Sequence, residues 1–338
     1  MEDWRNRLRD DPLPWLLDET NPAVRHLALR DLLGRAEDRA DLCAARDAAT
    51  RADPIAAILA AQDPAGWWEK PGHGYGTKYR GTTWSLIFLD QLGADPAEPR
   101  VRAGCAYVLA HSQALTGGFG CSAALSETRP PPPGTVIHCI NGNLLRALLG
   151  FGWLDDERAG QAIAWQATAI TGKSEPNWNA ATPGPGFRCG ANEKEPCAWG
   201  AAKALLALAR IPPERRSPEV ERAITVSVEF LLSRDPAVAD YPMGYGNTKP
   251  NGSWFRLGFP SGYVTDVLQV LEALVEAGAG HDPRLAHAVE WLLAQQDEHG
   301  RWANRYPYAG KMWVDIDVPG APSRWVTLRA CRVLKAIG

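Results

Sequence analysis

Cysteine and histidine residues lie at the predicted starts of two helices, where their side chains are candidates for chemistry. Cys139 and Cys197 each stand at the first position of a predicted helix, and His138 precedes Cys139. The positive end of a helix dipole lowers the pKa of a nearby thiol and favours the reactive thiolate. A neighbouring histidine can exchange a proton near neutral pH. The pattern therefore predicts thiol-based acid–base chemistry at His138, Cys139 and Cys197.

Two carboxylates are the candidate acids. Asp266 lies inside an otherwise apolar helical pattern at residues 262–277, and Asp315 precedes the last predicted helix. A carboxylate on a cavity-facing turn is partly desolvated, which raises its pKa toward the range of a general acid. We therefore predict catalytic roles for Asp266 and Asp315, with Lys203 as a candidate ion-pair partner. The alternative is that Asp266 is a first-turn residue favoured by the helix dipole.

The same cysteines allow two alternatives. If a metal is bound it is zinc, which proteins hold mainly through Cys and His, and its candidate ligands are Cys139, Cys189, Cys197 and His138. Otherwise no cofactor is predicted. Cysteine also serves as a small apolar residue at helix starts, and in that case these thiols only pack.

Aromatic residues are unusually frequent, since the chain has 14 Trp, more than its 7 Phe or 8 Tyr. Many lie in the predicted links between helices, Trp178 among them. An aromatic lining suits a hydrophobic small molecule and can stabilise a carbocation. The alternative is that these rings pack the links down. The candidate substrate-binding residues are Tyr75, Trp84, Trp199, Trp254, Tyr263 and Trp313.

Two alternating sets of helices must position these residues, since apolar residues recur at intervals of three and four. The first set is apolar on most faces, as expected of helices buried behind an outer layer. It comprises residues 22–34, 82–92, 139–149, 197–209, 262–277 and 323–337. The second set is more charged and comprises residues 38–61, 97–112, 155–169, 217–233 and 283–296.

The links between the helices alternate in length. The links that follow first-set helices are mostly short and carry a stop signal such as Gly34, Gly93 or Gly278, whereas a long link precedes the next first-set helix. The alternation puts every long link on one rim, beside the N-termini of the first-set helices. Residues 1–20 are expected to form a helix that closes the ring. The fold class predicted is all-α, an (α/α)6 toroid of helical hairpins forming a single domain over residues 1–338.

Three hairpins end in the same motif, Q-x3-G-x-aromatic. The motif begins at Gln62, Gln113 and Gln296. It resembles the QW motif of squalene and oxidosqualene cyclases, and similar single toroids occur in protein prenyltransferase β-subunits, linalool dehydratase-isomerase and lanthipeptide cyclases. In the family the Gln and Trp are structural. The resemblance therefore implies that the following residues stabilise the fold: Gln62, Trp67, Gln113, Phe119, Gln296 and Trp302.

The resemblance covers roughly residues 20–338 and implies an enzyme acting on a hydrophobic, terpenoid-like small molecule by acid–base chemistry of the cyclase, isomerase or lyase type. The protonating D-x-D-D motif of squalene-type cyclases is absent, and its nearest match is Asp315-Ile-Asp317. Glu195-x-Cys197 resembles the zinc-binding D-x-C pair of prenyltransferase β-subunits. Rim cysteines carry acid–base chemistry in linalool dehydratase-isomerase, and a Cys, Cys and His set binds zinc in lanthipeptide cyclases.

Two further alternatives stay open. A sugar-cleaving toroid needs two carboxylates flanking the scissile bond, and Asp266 with Asp315 or Glu127 are the candidates. A non-catalytic scaffold or lipophilic carrier needs none of these residues for chemistry.

Composition excludes several partners and indicates a compartment. The net charge is −3 with acidic and basic residues interleaved, so no electrostatic footprint for nucleic acid is present. No apolar run is long enough for a transmembrane segment, and the charged start is unlike a secretory signal. Contact with a membrane surface stays open. Seven cysteines without framework spacing favour the reducing cytoplasm.

Overall fold

Helical hairpins make up nearly all of the computed structural model, which describes residues 4–172 and 186–338. Within those residues there is no strand, only isolated bridges inside single links. The α-helices in this part of the chain are, in order, α1 (Leu13–Leu16), α2 (Pro22–Asp31), α3 (Ala40–Thr50), α4 (Ile55–Ala60), α5 (Thr82–Gln91), α6 (Pro99–His111), α7 (His138–Gly150), α8 (Glu157–Thr171), α9 (Ala198–Ala209), α10 (Pro218–Leu232), α11 (Val267–Glu276), α12 (Ala286–Ala294) and α13 (Arg324–Ile337).

The first helix of each hairpin lies on the inside of the ring. Neighbours around the ring are α5, α7, α9, α11, α13 and α2, and the others form an outer layer. Helix α9 shows why, since its alanines and leucines leave no polar face and every residue from 200 to 208 is buried. The all-α, α/α toroid fold predicted from the sequence is confirmed. No helix in residues 4–172 and 186–338 combines the length and apolar composition needed to cross a bilayer.

Three predicted helix boundaries are wrong for local reasons. The first 20 residues do not form one helix: a 3-10 turn at Trp4–Arg7 and the short α1 pack beside α13 instead. The outer segment 38–61 is divided into α3 and α4 at Pro54, which cannot continue a helix. Helix α11 begins at Val267 rather than at 262, because Asp266 caps its N-terminus.

The first two copies of the repeated motif, at Gln62 and Gln113, each tie a hairpin to the next one. The Gln113 side chain donates to the carbonyl of Gly117 at 2.6 Å and to that of Arg158 in the next outer helix at 2.7 Å. Gln62 makes the equivalent pair of bonds. Such bonds satisfy carbonyl groups between the helices and fix the hairpin spacing.

The aromatic residue of the first repeat is Trp68, not Trp67 as predicted. Trp68 is fully buried, and its indole N–H donates to the Ile58 carbonyl at 2.6 Å. Trp302 makes the same bond to the Leu292 carbonyl at 2.8 Å. Trp67 is only half-buried, because it stands one position before the aromatic position of the motif, whose side chain is the buried one.

Ion pairs close the end of the ring opposite the long links. They join helices across the ring: Arg210 to Asp90 at 2.7 Å, Arg146 to Glu276 at 2.8 Å, and Arg329 to Glu272 at 2.5 Å. Arg332 of α13 pairs with Asp31 of α2 and so joins the last inner helix to the first. Arginines are favoured here because the C-terminal ends of the inner helices carry negative dipole charge.

Replacing Asp31 with asparagine should weaken this closure. Burial alone would raise the pKa of Asp31, but Arg332 and Arg30 outweigh it and lower the pKa to about 2. From that shift we expect a loss of about 2 kcal/mol of unfolding free energy at pH 7. A depressed carboxyl pKa stabilises above the unfolded value, and the contribution is lost as pH falls from 3.8 to about 2.

Urea unfolding at pH 7 and near pH 2 measures the difference in unfolding free energy between the parent and Asp31→Asn. This difference should nearly vanish at the lower pH. Asp47→Asn, at an exposed position of α3, is the matched control. Equal losses for the two variants would contradict a special role for Asp31.

Candidate functional site

A cavity of about 330 Å³ opens on the rim formed by the long links. Its walls come from the first turns of α7 and α9 and from the links before α9 and α11. Because the inner helices begin at this rim, their first residues reach the cavity, as the link lengths predicted. The described residues that line it include three cysteines and no Asp or Glu.

Two of the cavity thiols form a pair. A tight turn at Gly190–Asn192 folds the link back on itself, and Arg188 and Pro196 bridge its two sides. Cys189 and Cys197 therefore lie close together on the cavity wall. The neighbouring Cys197 thiol, aided by the backbone N–H groups of the turn, lowers the pKa of Cys189 to about 6. The two thiols therefore lose their protons in separate steps, and the lowered pKa is that of Cys189.

The two cysteines at the helix starts do not have the lowered pKa that the sequence predicted. The neighbouring Cys189, together with burial, raises the pKa of Cys197 well above the usual thiol range. Burial also raises the pKa of Cys139 to about 12. The helix dipole does favour thiolates, but desolvation exceeds it at both positions. Of the three cavity cysteines, only Cys189, in the link, has a lowered pKa.

A buried lysine lies beneath these thiols. Lys203 is fully buried one turn after Trp199, and its Nζ donates to Thr265 Oγ1 and to Gln269 Oε1 at 3.1 Å. Both partners are neutral, so the ion pair with an acid that the sequence suggested is not formed. Burial lowers the pKa of Lys203 to about 8.

Replacing Lys203 with methionine should change how stability depends on pH. The pKa of Lys203 falls from 10.5 unfolded to about 8 folded, so the unfolded chain binds more protons between these values. Stability therefore rises with pH in that window, by about 3 kcal/mol for this shift. The methionine variant lacks this term, so its advantage over the parent should be largest at pH 7 and shrink by that amount toward pH 10.5.

Denaturant unfolding of both proteins at several pH values between 7 and 10.5 tests this. Lys335→Met, at an exposed position of α13, controls for the loss of one positive charge. A parent–variant difference that is flat across the window would contradict the buried, depressed lysine.

Asp266 lies outside the cavity, contrary to the expectation that it faces the hollow. Its Oδ1 accepts from the Gln269 N–H at 2.8 Å and its Oδ2 from the Gly258 N–H at 2.8 Å. Arg329 Nη2 lies 3.8 Å away. Burial does raise the pKa of Asp266 as expected, but the carboxyl caps α11 and faces Arg329. Asp266 is therefore the N-cap of α11, one position before the first turn in which the alternative interpretation placed it.

Two further candidates also face away from the cavity. Asp315 is exposed and accepts from the Gly310 N–H at 2.7 Å, so it holds a turn of its own link. The His138 ring lies against Trp165 and Phe187, with Nδ1 at 2.7 Å from Gln166 Nε2. The first residue of α7 is therefore turned toward the outer layer, whereas the next one, Cys139, reaches the cavity.

Half of the aromatic candidates line the cavity. Trp199, Trp254 and Tyr263 do so, joined by Tyr245, one of the aromatic residues expected in the links, and by Tyr241, which the sequence did not single out.

The other three candidates support the wall from behind. Trp84 is buried and donates to the Tyr75 carbonyl at 3.1 Å, and its ring centroid lies 6.4 Å from that of Tyr263. Trp313 donates to the Arg80 carbonyl at 3.0 Å. Trp178 lies outside the described residues.

The sequence also missed the polar side of the cavity. Asn192, in the link before α9, and Asn247 and Asn251, in the link before α11, line it in segments that have no helical period. Asn192 joins the two links, since its amide donates to the Pro242 carbonyl at 3.2 Å and its Oδ1 accepts from the Gly244 N–H at 2.9 Å. Only the proximity of two distant links reveals this contact.

The four candidate zinc ligands are not assembled into one site. Among residues 4–172 and 186–338, no three His, Cys, Asp or Glu side chains are placed to hold a metal ion together. His138 is directed toward α8, which separates it from the thiols. The donor set that the sequence suggested therefore does not fit a zinc ion in this arrangement.

Comparisons with known proteins show the fold but not a family. The unsaturated glucuronyl hydrolase specific for heparin is 12% identical with a TM-score of 0.50, over 95% of this chain and 85% of that chain. The type II terpene cyclase MstE from Scytonema is 18% identical with a TM-score of 0.44, over 94% and 88%. No protein-family model and no curated protein sequence matches the chain. At these identities the likeness to the hydrolase supports the toroid fold alone.

Proposed function

We propose that the protein is an enzyme that binds an apolar, terpenoid-like alcohol in the rim cavity and removes or moves its hydroxyl group by acid–base chemistry. The observation that carries the proposal is a pair of neighbouring thiols on the wall of a mainly apolar cavity, Cys189 with a lowered pKa and Cys197 with a raised one. A base and an acid side by side are the minimum that an elimination of water requires.

The proton balance of that elimination closes within the pair. Cys197 gives its proton to the departing hydroxyl, the C–O bond breaks, and water leaves. The Cys189 thiolate takes a proton from the adjacent carbon, whose C–H electrons form the new double bond. The negative charge ends on Cys197, and one proton passing from Cys189 to Cys197 restores the starting state. Return of water to another carbon would give an isomer instead.

The walls suit the intermediate stage of such a reaction. Positive charge develops on carbon as the hydroxyl departs, and Trp199, Trp254 and Tyr263 line the cavity with aromatic rings, whose quadrupoles can stabilise a cation. Protonation of an unactivated alkene, as in squalene-type cyclases, fits less well. No carboxylate lines the described part of the cavity, and a thiol is too weak an acid for that step.

The sugar-cleaving alternative fits this site poorly. It needs a pair of carboxylates across the scissile bond, whereas Asp266 and Asp315 are engaged outside the cavity. A carrier remains the competing proposal, because the same walls can hold a lipophilic molecule without reacting.

The test is incubation with allylic isoprenoid alcohols of ten to twenty carbons, followed by gas chromatography and mass spectrometry. We expect dienes or positional isomers from the unmodified protein. Cys43→Ser should form the same products, because Cys43 lies on α3 away from the cavity. Saturable binding without any product would favour the carrier, and neither binding nor product would remove both proposals.

A further inference from the structure

A second cavity, of about 50 Å³, lies on the axis of the ring at the end opposite the rim cavity. Its wall includes residues of α2, α5, α7, α11 and α13, together with Arg210, which follows the last residue of α9. A cavity that all six inner helices line must lie between them, so we call it the axial cavity. Within the described part of the chain, no residue lines both cavities.

The link before α11 separates the two cavities. Phe259 and Ser261 of this link form part of the axial cavity wall. The Ser261 backbone exchanges two hydrogen bonds with the Gln91 side chain at the end of α5, at 2.7 Å and 2.8 Å. The Phe259 ring stacks on that of Trp325, with the centroids 4.6 Å apart. The link therefore crosses the hollow of the ring and covers the axial cavity on the side of the rim.

Arginine dominates the wall of the axial cavity. The arginines that line it are Arg30, Arg146, Arg210, Arg329 and Arg332. Two carboxylates, Asp90 and Glu272, line it as well and pair with Arg210 and Arg329.

Two more carboxylates pair with the cluster from outside the wall. Glu276 binds Arg146 at 2.8 Å, and Asp31 serves both Arg30 and Arg332. Asp266, 3.8 Å from Arg329, lies outside the wall and caps α11. The five guanidinium groups that line the cavity thus share four paired carboxylates.

Two donors of this cluster are buried and unpaired. Arg146 Nε and Arg332 Nε have no hydrogen-bond partner among residues 4–172 and 186–338. The negative ends of the inner-helix dipoles offset part of the positive charge here, but they supply no acceptor to these two N–H groups. A buried donor without a partner is costly, and more so when it is charged. An anionic acceptor inside the cavity would balance the charge and pair the donors.

We propose that the axial cavity binds a phosphate group, either free phosphate or the terminal phosphate of a larger molecule. The planar guanidinium fork donates to two oxygens of an oxyanion at once, which makes arginine the preferred partner of phosphate. The size also fits, because a water needs about 10–15 Å³ and the cavity of about 50 Å³ can hold several waters or one small oxyanion.

An ion can reach this site from the end of the ring. The Arg30 and Arg332 side chains are 38% and 29% exposed there. Because the site shares no lining residue with the thiol cavity, the inference does not depend on the proposed function, and either one can fail alone.

Equilibrium dialysis of the purified protein against radiolabelled phosphate, in chloride buffer of constant ionic strength, tests the inference. We expect saturation at one phosphate per chain. Arg146→Gln and Arg332→Gln each remove a guanidinium group and should weaken binding at least about tenfold, since hydrogen bonds to charged groups are the stronger ones. Arg158→Gln is the matched control, because Arg158 pairs with Asp156 at 2.7 Å on the outer helix α8, and it should bind phosphate as the parent does.

Two further measurements separate binding from folding. Circular dichroism without phosphate identifies the variants that stay folded. Should Arg332→Gln unfold, Arg146→Gln decides the test, because its partner Glu276 is 37% exposed and tolerates the loss. Phosphate should raise the Tm of the parent and of Arg158→Gln, but not that of Arg146→Gln. Arg146→Lys keeps the charge without the fork and should recover only part of the affinity.

Competition with methyl phosphate distinguishes the two sources of the phosphate group. Displacement of the label by methyl phosphate and phosphate alike supports a terminal phosphate of a larger molecule, and displacement by phosphate alone supports the free ion. Binding that does not saturate in chloride buffer, or parent-like affinity in folded Arg146→Gln, would overturn the inference.

Discussion

Cys189→Ser is expected to reduce turnover of an isoprenoid alcohol by at least about a hundredfold, since general base catalysis contributes on the order of 10²–10⁴ to rate. A serine hydroxyl occupies nearly the same volume but does not ionise near neutral pH, so the base is lost while the cavity keeps its shape. Substrate affinity should change little, and the loss should fall on kcat rather than on KM.

Steady-state kinetics of the two proteins, with Cys43→Ser as the matched thiol control, measure this effect. A Cys189→Ser variant within tenfold of the parent would show that this thiol does not act as the base. A variant that loses affinity and turnover together would instead indicate a packing role for Cys189.

Trp68→Ala should cost about 3–5 kcal/mol of unfolding free energy, the range measured for large aromatic residues truncated in cores. Trp68 is fully buried, its indole N–H bonds the Ile58 carbonyl at 2.6 Å, and its backbone N–H donates to Thr82 Oγ1 at 3.0 Å. The substitution removes the indole hydrogen bond and opens a cavity beside Gly104. The Trp68 ring packs so closely on Gly104 that a Cβ at that position would lie 2.6 Å from it.

The adjacent tryptophan is the natural comparison. Trp67 is half-buried, so Trp67→Ala should cost less than half as much in the same urea or thermal unfolding experiment. Equal costs at the two positions would contradict the reassignment of the repeat to Trp68. A small cost at both would contradict the structural role of the motif.

The sequence predicted the ring because its signals are local and repeated. Apolar spacing defines the inner helices, glycines such as Gly93 and Gly278 end them, and the alternation of short and long links places the link residues on one rim. Each of these signals acts within a few residues of the chain, so no knowledge of distant contacts was needed.

The placement of single side chains was harder to predict, because it depends on contacts between distant links. The apolar sequence around Asp266 is typical of an acid that faces a cavity, but two backbone N–H groups and Arg329 hold its carboxylate as a helix cap. His138 and Cys139 are adjacent in sequence, yet His138 is directed toward the outer layer of helices and Cys139 toward the cavity. No spacing rule distinguishes these outcomes.

The sequence predicted lowered pKa values at Cys139 and Cys197, whereas the thiol with a lowered pKa is Cys189. Helix position favoured Cys139 and Cys197, whereas the balance between burial and hydrogen bonding decides which thiol ionises. The residues between Cys189 and Cys197 form a tight turn that brings the two sulfurs together. The glycine and asparagine of that turn, Gly190 and Asn192, were the available signal for the pairing.

The most direct test is the pH dependence of Cys189 modification in the unmodified protein. Iodoacetamide rates at Cys189, resolved by mass spectrometry between pH 4.5 and pH 9.5, give the midpoint of its ionisation whatever its intrinsic reactivity. We expect a midpoint near 6, with the Cys197 thiol protonated throughout the lower half of the range. A midpoint near the ordinary thiol value of about 8.5 would contradict the ionised pair on which the proposed chemistry depends.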